Sequence, residues 1–185
     1  SRDWSSDVCS SDLPVKTLKD LAQLAARRPG QLNFSIIGQG GLIHLGTELF
    51  KMSAGISMNN VQYKGAAPAI VDLIGGHIEA ALFDVPAVVG YLPSGKIRPL
   101  AVTSSERIKQ LPLVPTTAES GYLSVRSDSW YAVAAPAAVP SELIQRMNKL
   151  WVAAVRAQET RDLLYAIGVG AVGSSVEDFT TFRAA

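Results

Sequence analysis

Cysteine and net charge are both scarce in this sequence. Cys9 is the only cysteine among 185 residues, which excludes an internal disulfide framework, a cysteine zinc site and an iron–sulfur cluster. Seventeen Lys and Arg residues stand against sixteen Asp and Glu residues, so the net charge is +1. A chain so balanced lacks the surface field that attracts nucleic acid or a charged membrane surface. We therefore expect no nucleic-acid partner.

Long hydrophobic runs are missing as well. The longest uncharged apolar stretches, such as residues 132–139, fall far short of the roughly 20 residues of a membrane-spanning helix. We therefore expect no direct insertion into a membrane. With 48% apolar and 18% charged residues, the chain can still bury a sizeable core, as one domain or two small lobes.

Residues 1–13, SRDWSSDVCSSDL, fit no structural or targeting class. The segment has neither helical nor strand periodicity, and it lacks the apolar region and cleavage site of a signal peptide. Codons for residues 3–12 can spell a common short-read sequencing adapter in one reading frame. We therefore predict that residues 1–13 are a non-native adapter scar, and we expect the natural N-terminus and any signal peptide to be missing.

Strands and helices alternate from Pro14 onward, which indicates an α/β architecture with largely parallel strands. Apolar spacing and the positions of Gly and Pro predict helix 18–25, strand 32–36, helix 42–52, strand 60–63, a helix from Pro68 to Ile74, and strands 78–83, 97–103 and 130–135.

A longer helix is predicted after Pro140. It carries an apolar stripe that we expect to be buried, with Trp151 in the core, and we expect Trp130 and Tyr131 to be core residues too. Ser175 and Asp178 have the spacing of a capping box before a last helix.

Motifs of the common enzyme classes are absent from the sequence. There is no P-loop, no His-Glu-x-x-His and no Gly-x-Ser-x-Gly. The glycine turn 38–41 follows a strand and opens a helix, but the third glycine of a dinucleotide fingerprint would fall at Ile43. Neither histidine has a metal-binding spacing. We expect no cofactor, no metal and no catalytic residue.

An anion site is the chemistry that the remaining pattern favours. Gly38-Gln39-Gly40-Gly41 and Gly65-Ala66-Ala67 each place backbone N–H groups at the start of a helix, where the helix dipole favours a carboxylate or phosphate. Two such turns at neighbouring strand ends could converge on one small anion. The alternative is that each glycine only permits a tight turn.

Four further polar residues are candidates for chemistry. Asp84 closes an apolar strand, where it could orient a ligand amine or hydroxyl or cap the helix that begins near Pro86. His44 and Glu48 are one helical turn apart, which predicts a surface pair rather than a catalytic dyad. His77 lies between Gly76 and a strand and is expected to be exposed.

Several segments resemble one family in order and spacing. They include YKGAAPA at residues 63–69, GQGGLIHLGTELF at 38–50, and the pattern from Leu111 to Gly121, LPLVPTTAESG. From about Val15 to Ala185 the chain resembles the substrate-binding proteins of tripartite tricarboxylate transporters, also called Bug-type periplasmic solute receptors. This resemblance implies a type II periplasmic binding protein fold, in which a ligand lies in the cleft between two lobes that close about a hinge.

The resemblance also implies how the chain is divided. Residues 14–30 would be a helix leading into the lobe crossing, residues 31–127 the second ligand-binding lobe, and residues 128–185 a return segment that packs on a largely missing first lobe. The cleft would be lined from this side by Gly38, Gln39, Gly40, Gly41, Leu42, Gly65, Ala66, Ala67 and Asp84.

One departure from the family pattern bears on the ligand. Members usually carry small hydroxyl residues around the glycine turn, whereas this sequence has Ile36, Gly41, Leu42 and Ile43. Each neutral hydrogen bond lost costs about 1 kcal/mol. We therefore hypothesise a bulkier or more apolar carboxylate, such as an aromatic acid, packed against Leu42.

The function implied is that of a monomeric periplasmic receptor that passes a small carboxylate to membrane permease subunits. An alternative is the effector domain of a transcription regulator that senses small acids, which would need a helix-turn-helix and a basic face. A third possibility, an enzyme with Asp84 as base, would need a partner residue that the sequence does not offer.

Overall fold

A computed structural model describes residues 13–184 of the chain. It divides into two compact units, which meet in sequence between Ser129 and Trp130. The first unit, unit 1, holds a parallel sheet with its helices, and the second, unit 2, is helical. The α/β architecture with parallel strands that the sequence predicts is confirmed.

Unit 1 is built around a three-stranded sheet in the order β2-β1-β3, with both pairings parallel. Its elements are α1 (Leu18–Arg27), β1 (Asn33–Ile37), α2 (Leu42–Ala54), β2 (Asn59–Tyr63), α3 (Ala66–Gly75), β3 (Ala80–Ala81), α4 (Val85–Val88) and a 3-10 helix (Val89–Ser94). Because consecutive strands are joined through helices, their carboxyl ends lie at one edge of the sheet.

Local sequence signals explain most of the helix boundaries. A capping box begins α1, since Thr17 Oγ1 accepts the Asp20 N–H and Asp20 Oδ2 accepts the Thr17 N–H. Gly55 and Gly76, both in the left-handed conformation, end α2 and α3.

The core of unit 1 is one apolar cluster. It joins Leu21 of α1, Phe34 of β1, Phe50 of α2 and Ile70 of α3. Leu13, which belongs to the segment predicted to be non-native, is also buried in this cluster. Any apolar side chain can pack against an apolar cluster, so the burial of Leu13 does not tell whether this residue is native. Leu13 is nevertheless part of the folded core.

Three predicted strands are shorter than expected or absent in the described structure. Only Ala80 and Ala81 of 78–83 pair as a strand, and 97–103 keeps a single bridge, between Val102 and Thr116. The segment 130–135 forms no strand. A strand needs a neighbour to pair with, and apolar alternation alone does not supply one.

Unit 2 contains α5 (Ser141–Arg156), α6 (Gln158–Ala166) and α7 (Val176–Ala184). Ser175 Oγ accepts the Asp178 N–H at 3.0 Å, as the capping spacing predicts. The helices are tied by hydrogen bonds such as that from Asn148 Nδ2 to the Ser174 carbonyl, and Trp130 packs edge-on against Phe179.

The predicted burial of unit 2 is wrong. As the structure describes these helices, α5, α6 and α7 bury no residue, and Trp151 is 51% exposed. Trp130 and Tyr131 are exposed as well. The apolar stripe of α5 is present, but Leu143, Leu150 and Trp151 on it are exposed.

Candidate functional site

Three turns converge on the carboxyl edge of the sheet. Ile37 and Tyr63, the last residues of β1 and β2, are partners in the strand register. The glycine turn 38–41 follows Ile37, and Lys64-Gly65 follows Tyr63. Asp84 lies three residues after β3, the other neighbour of β1. The two predicted anion turns therefore stand on adjacent strand ends.

The N-terminus of α2 offers backbone donors without a side-chain cap. Gly41 is its N-cap residue, and among the described residues no side chain caps this end. Two amides of the turn itself are engaged, since the Gly41 N–H donates to the Gly38 carbonyl and the Gly40 N–H to His44 Nδ1, each at 3.0 Å. The donors that face outward are therefore those of the first turn, residues 42–44, rather than those of the glycines.

The N-terminus of α3 is arranged in a similar way. Its N-cap residue is Gly65, again with no side-chain cap in the described part of the chain. Ala66 and Ala67 bring N–H groups to the first turn, while Pro68, the third residue, has none. Proline is tolerated there because an amide in the first turn has no intrahelical partner.

Acidic side chains avoid these two helix starts. Among the described α-helices, the first turns of α2, α3 and the four-residue α4 contain no Asp or Glu, whereas those of α1, α5, α6 and α7 all do. An acidic residue in the first turn stabilises a helix by opposing its dipole. Its omission at the two N-termini that share the sheet edge leaves their positive ends uncompensated.

Asp84 does not cap the helix that follows it. It occupies the N-cap position of α4 but makes no side-chain capping bond, so that alternative is wrong. Its Oδ1 instead accepts a hydrogen bond of 2.5 Å from Ser129 Oγ. Ser129 is the last residue of unit 1, and no local sequence pattern predicts this contact.

His44 and Glu48 are close, as the sequence predicts. His44 Nε2 lies 3.8 Å from Glu48 Oε1, beyond hydrogen-bond distance. Burial alone would raise the pKa of Glu48, but hydrogen bonds from Lys51 and Asn60 outweigh it, and the pKa lies below its ordinary value. The Glu48 charge is therefore engaged mainly by Lys51. His77 is exposed, as expected.

Two residues near the site make contacts that were not predicted from the sequence. Gly46, inside α2, allows a close approach, because a Cβ there would lie 2.8 Å from Leu82 Cδ2 and 3.3 Å from Ser127 Cβ. A glycine in a helix interior lowers the stability of the helix, so its presence in the predicted helix 42–52 could have indicated a close contact at this position. His44 was noticed only for Glu48, and its bond to the turn depends on a backbone conformation that the sequence does not specify.

The described residues offer neither a membrane span nor a metal site. No helix within 13–184 combines the length and hydrophobicity that crossing a bilayer requires. The same range holds no cluster of three His, Cys, Asp or Glu side chains placed to bind a metal ion.

A family of known proteins matches nearly the whole sequence. The family described as "Tripartite tricarboxylate transporter family receptor" matches residues 5–185. The chain belongs to this family. The resemblance seen in the sequence is thereby confirmed, and this tripartite tricarboxylate receptor family is one of solute-binding proteins, not of enzymes. The match begins inside the predicted adapter scar, whose origin stays a prediction.

Individual relatives agree with the family assignment. Protein BugT of Bordetella pertussis is 38% identical over 142 residues, which are 77% of this chain and 44% of BugT. A structure titled "R. palustris Rpa4515 with adipate" is 34% identical with a TM-score of 0.88, over 95% of this chain and 58% of that one. The periplasmic binding protein BugD is 26% identical with a TM-score of 0.78, over 89% of this chain and 55% of its own.

These alignments also bear on fold and length. The periplasmic binding protein fold that the resemblance implied is confirmed. This member of the receptor family spans only about half the length of the relatives that it matches.

Proposed function

We propose that this chain supplies one side of a cleft in a periplasmic receptor that binds a small organic carboxylate. The observation that carries the proposal is the pair of uncapped N-termini, those of α2 and α3, on adjacent strand ends and without acidic residues. Five backbone amides lie in their first turns, at residues 42–44, 66 and 67. Each helix end carries roughly half a positive charge, which suits a carboxylate without any Lys or Arg.

Similarity to known receptors supports the same function. Rpa4515, at 34% identity, has a structure with adipate, and the neighbour BugD is titled a periplasmic binding protein. On this basis the complete protein would be a periplasmic monomer that hands its ligand to membrane permease subunits. Residues 31–127 would form the second lobe, and residues 128–185 would return to pack on a first lobe from outside this chain.

The side chains around the amides suggest what else the ligand carries. Leu42, the first residue of α2, is 45% exposed beside the proposed anion site, and Gln39 and Gly41 are exposed with it. An exposed leucine there favours a carboxylate with an apolar body, such as an aromatic or branched acid, over a polyhydroxylated one. Asp84 would face an amine or hydroxyl of the same ligand.

The backbone donors can be tested by a pair of substitutions at Leu42. Leu42→Pro deletes one first-turn N–H at the position where helices favour proline, and the extended conformation of Gly41 accepts a following proline. Leu42→Ala removes the side chain but keeps the N–H. Loss of a hydrogen bond to a charged group should weaken carboxylate binding about tenfold or more in the proline variant.

Isothermal titration calorimetry of the complete protein with mono- and dicarboxylates of graded apolarity measures the effect of each substitution on affinity. We expect Leu42→Pro to weaken binding of every acid, and Leu42→Ala to weaken mainly the apolar ones. If the proline and alanine variants bind every acid equally well, the first turn of α2 does not hold the carboxylate. Tight binding of citrate or an acidic amino acid, with no binding of aromatic or branched acids, would overturn the apolar preference.

A further inference from the structure

We infer that His44 is a positioning residue, which fixes the glycine turn of the proposed site without placing a negative charge there. The inference rests on the proposed function, because it concerns how the same helix end stays open to an anion. His44 touches the turn and not the proposed ligand through its side chain, so its role is exerted through the backbone of residues 38–41.

The turn needs an external tie because its backbone is unusual. Gly38 and Gly40 both adopt positive φ, at +67° and +78°. Glycine reaches this conformation easily but is not confined to it, so the sequence alone leaves the turn many alternatives. Within the described chain, the Gly41 N–H donates to the Gly38 carbonyl inside the turn, and the external bond is the one that the Gly40 N–H donates to His44 Nδ1.

The geometry of this second bond has a close parallel at α1. His44 is the third residue of α2, and it reaches back to the amide of the residue before the N-cap. Asp20 is the third residue of α1, and its Oδ2 reaches back in the same way to the Lys16 N–H at 3.0 Å. The two helices therefore use the same device with different acceptors, a carboxylate in α1 and an imidazole in α2.

The choice of acceptor matters because of charge. A carboxylate at the third position would oppose the helix dipole and repel an anion bound at the first turn. An imidazole that accepts through Nδ1 carries its proton on Nε2 and is neutral. His44 thus gives the hydrogen bond of an acidic residue without its charge, in a first turn that contains no acidic residue.

The hydrogen bond can be observed directly by NMR in the complete protein. An N–H···N bond transmits a scalar coupling between the two ¹⁵N nuclei, so we expect a cross-peak between the Gly40 amide nitrogen and His44 Nδ1. The ¹⁵N shifts of His44 should report a neutral ring protonated at Nε2. Absence of the coupling in folded protein, or a ring protonated at Nδ1, would overturn the inference whether or not a ligand binds.

Three substitutions at His44 then separate the hydrogen bond from the charge. His44→Asn places Oδ1 as many bonds from Cα as Nδ1 and keeps a neutral acceptor. His44→Asp keeps the acceptor but adds the charge that Asp20 has in α1. His44→Leu removes the acceptor, and all three substitutions are made at the same half-buried position of α2.

The variants are compared in the complete protein by carboxylate titration and by thermal unfolding. We expect His44→Leu to lose about tenfold in affinity, and His44→Asn to recover to within about threefold of wild type. His44→Asp should unfold at the same or a higher temperature than wild type, yet bind about fivefold or more weakly, because the charge that stabilises the helix repels the ligand.

The outcomes distinguish this inference from the proposed function. If wild type binds no carboxylate, the proposed function itself fails and the binding role of His44 fails with it. If wild type binds and His44→Leu or His44→Asp binds equally well, only the inference on His44 is overturned. A matched loss of affinity and stability in His44→Asp would likewise contradict it, because a purely structural role predicts that the two change together.

Discussion

Gly46 and Ser129 each make a contact that positions a segment near the carboxyl edge of the sheet. Gly46 lets α2 approach Leu82 and Ser127, and the Ser129 hydroxyl holds Asp84. Both contacts join segments far apart in sequence, so neither could be predicted from local spacing. The glycine turn 38–41 could be predicted, because its signal lies in four consecutive residues.

Gly46→Val should destabilise unit 1. The added side chain would press on Leu82 and on Ser127, and overpacking of this kind costs about 2 kcal/mol in the free energy of unfolding. Urea denaturation measures the change. Met52→Val places the same side chain at an exposed position of the same helix and should cost only about a few tenths of a kcal/mol. Valine has a higher helix propensity than glycine, so propensity alone would not make Gly46→Val destabilising. Equal losses in the two variants would show that Gly46 is not in close contact.

Asp84→Asn and Ser129→Ala separate the charge of Asp84 from its hydrogen bond. The amide oxygen of Asn can still accept from Ser129, so Asp84→Asn removes mainly the charge. If Asp84 faces a ligand amine or hydroxyl, this variant should weaken binding about tenfold, whereas Ser129→Ala should have a smaller effect. Binding assays on the complete protein decide the matter. A larger loss in Ser129→Ala would make Asp84 a structural acceptor only.

At the scale of elements, helices were predicted better than strands. α2 and α3 carry their start, their apolar spacing and their terminal glycine in one continuous stretch, and the structure confirms both. The segments 97–103 and 130–135 have strand-like composition, but pairing depends on a partner elsewhere in the chain. Amino-acid composition therefore predicts that a segment can form a strand, but it does not predict whether a partner strand is present.

The capping box of α1 should make the stability of this helix sensitive to acid. Hydrogen bonds from the Lys16 amide and from Thr17 hold the pKa of Asp20 below its ordinary value of 3.8. A carboxylate with a lowered pKa stabilises the folded state above its unfolded pKa, and this contribution is lost as pH falls through the folded pKa. We therefore expect Asp20→Asn to reduce the pH dependence of unfolding below about pH 4.

Thr17→Ala is the matched variant, because it removes the uncharged hydrogen-bond acceptor of the same capping box. It removes the acceptor for the Asp20 N–H and should cost about 1 kcal/mol at neutral pH. Because Asp20 keeps its bonds from Lys16 and from the residue 17 amide, much of the acid sensitivity should remain. Urea denaturation from pH 2 to 7 compares the two variants, and an unchanged acid profile in Asp20→Asn would contradict the assignment.

At the scale of the whole molecule, unit 2 leaves apolar surface uncovered. Leu150 and Trp151 of α5 are 65% and 51% exposed. Surfaces of this kind bind hydrophobic dyes and favour association. We expect the 185-residue chain to bind anilinonaphthalene sulfonate, to self-associate with rising concentration and to unfold over a broad temperature range.

Leu150→Gln together with Trp151→Gln should reduce both dye binding and association without loss of stability, because neither side chain is buried. Dye fluorescence and analytical ultracentrifugation measure the two effects. A matched change of Leu21 and Phe34 in the core should instead unfold unit 1. A sharp, reversible unfolding transition of the unmodified monomer, with no dye binding, would contradict this view of unit 2.

The outward donors of α2 and α3 belong to the main chain, and this affects how such a protein can change over generations. Every residue except proline supplies the same N–H, so nearly any inherited substitution in those first turns leaves the donors in place. If these amides bind the carboxylate as we propose, mutations at Leu42 or Gln39 would reshape the cleft while charge recognition persists. A lineage would then pass from one acid to another through intermediates that still hold a carboxylate.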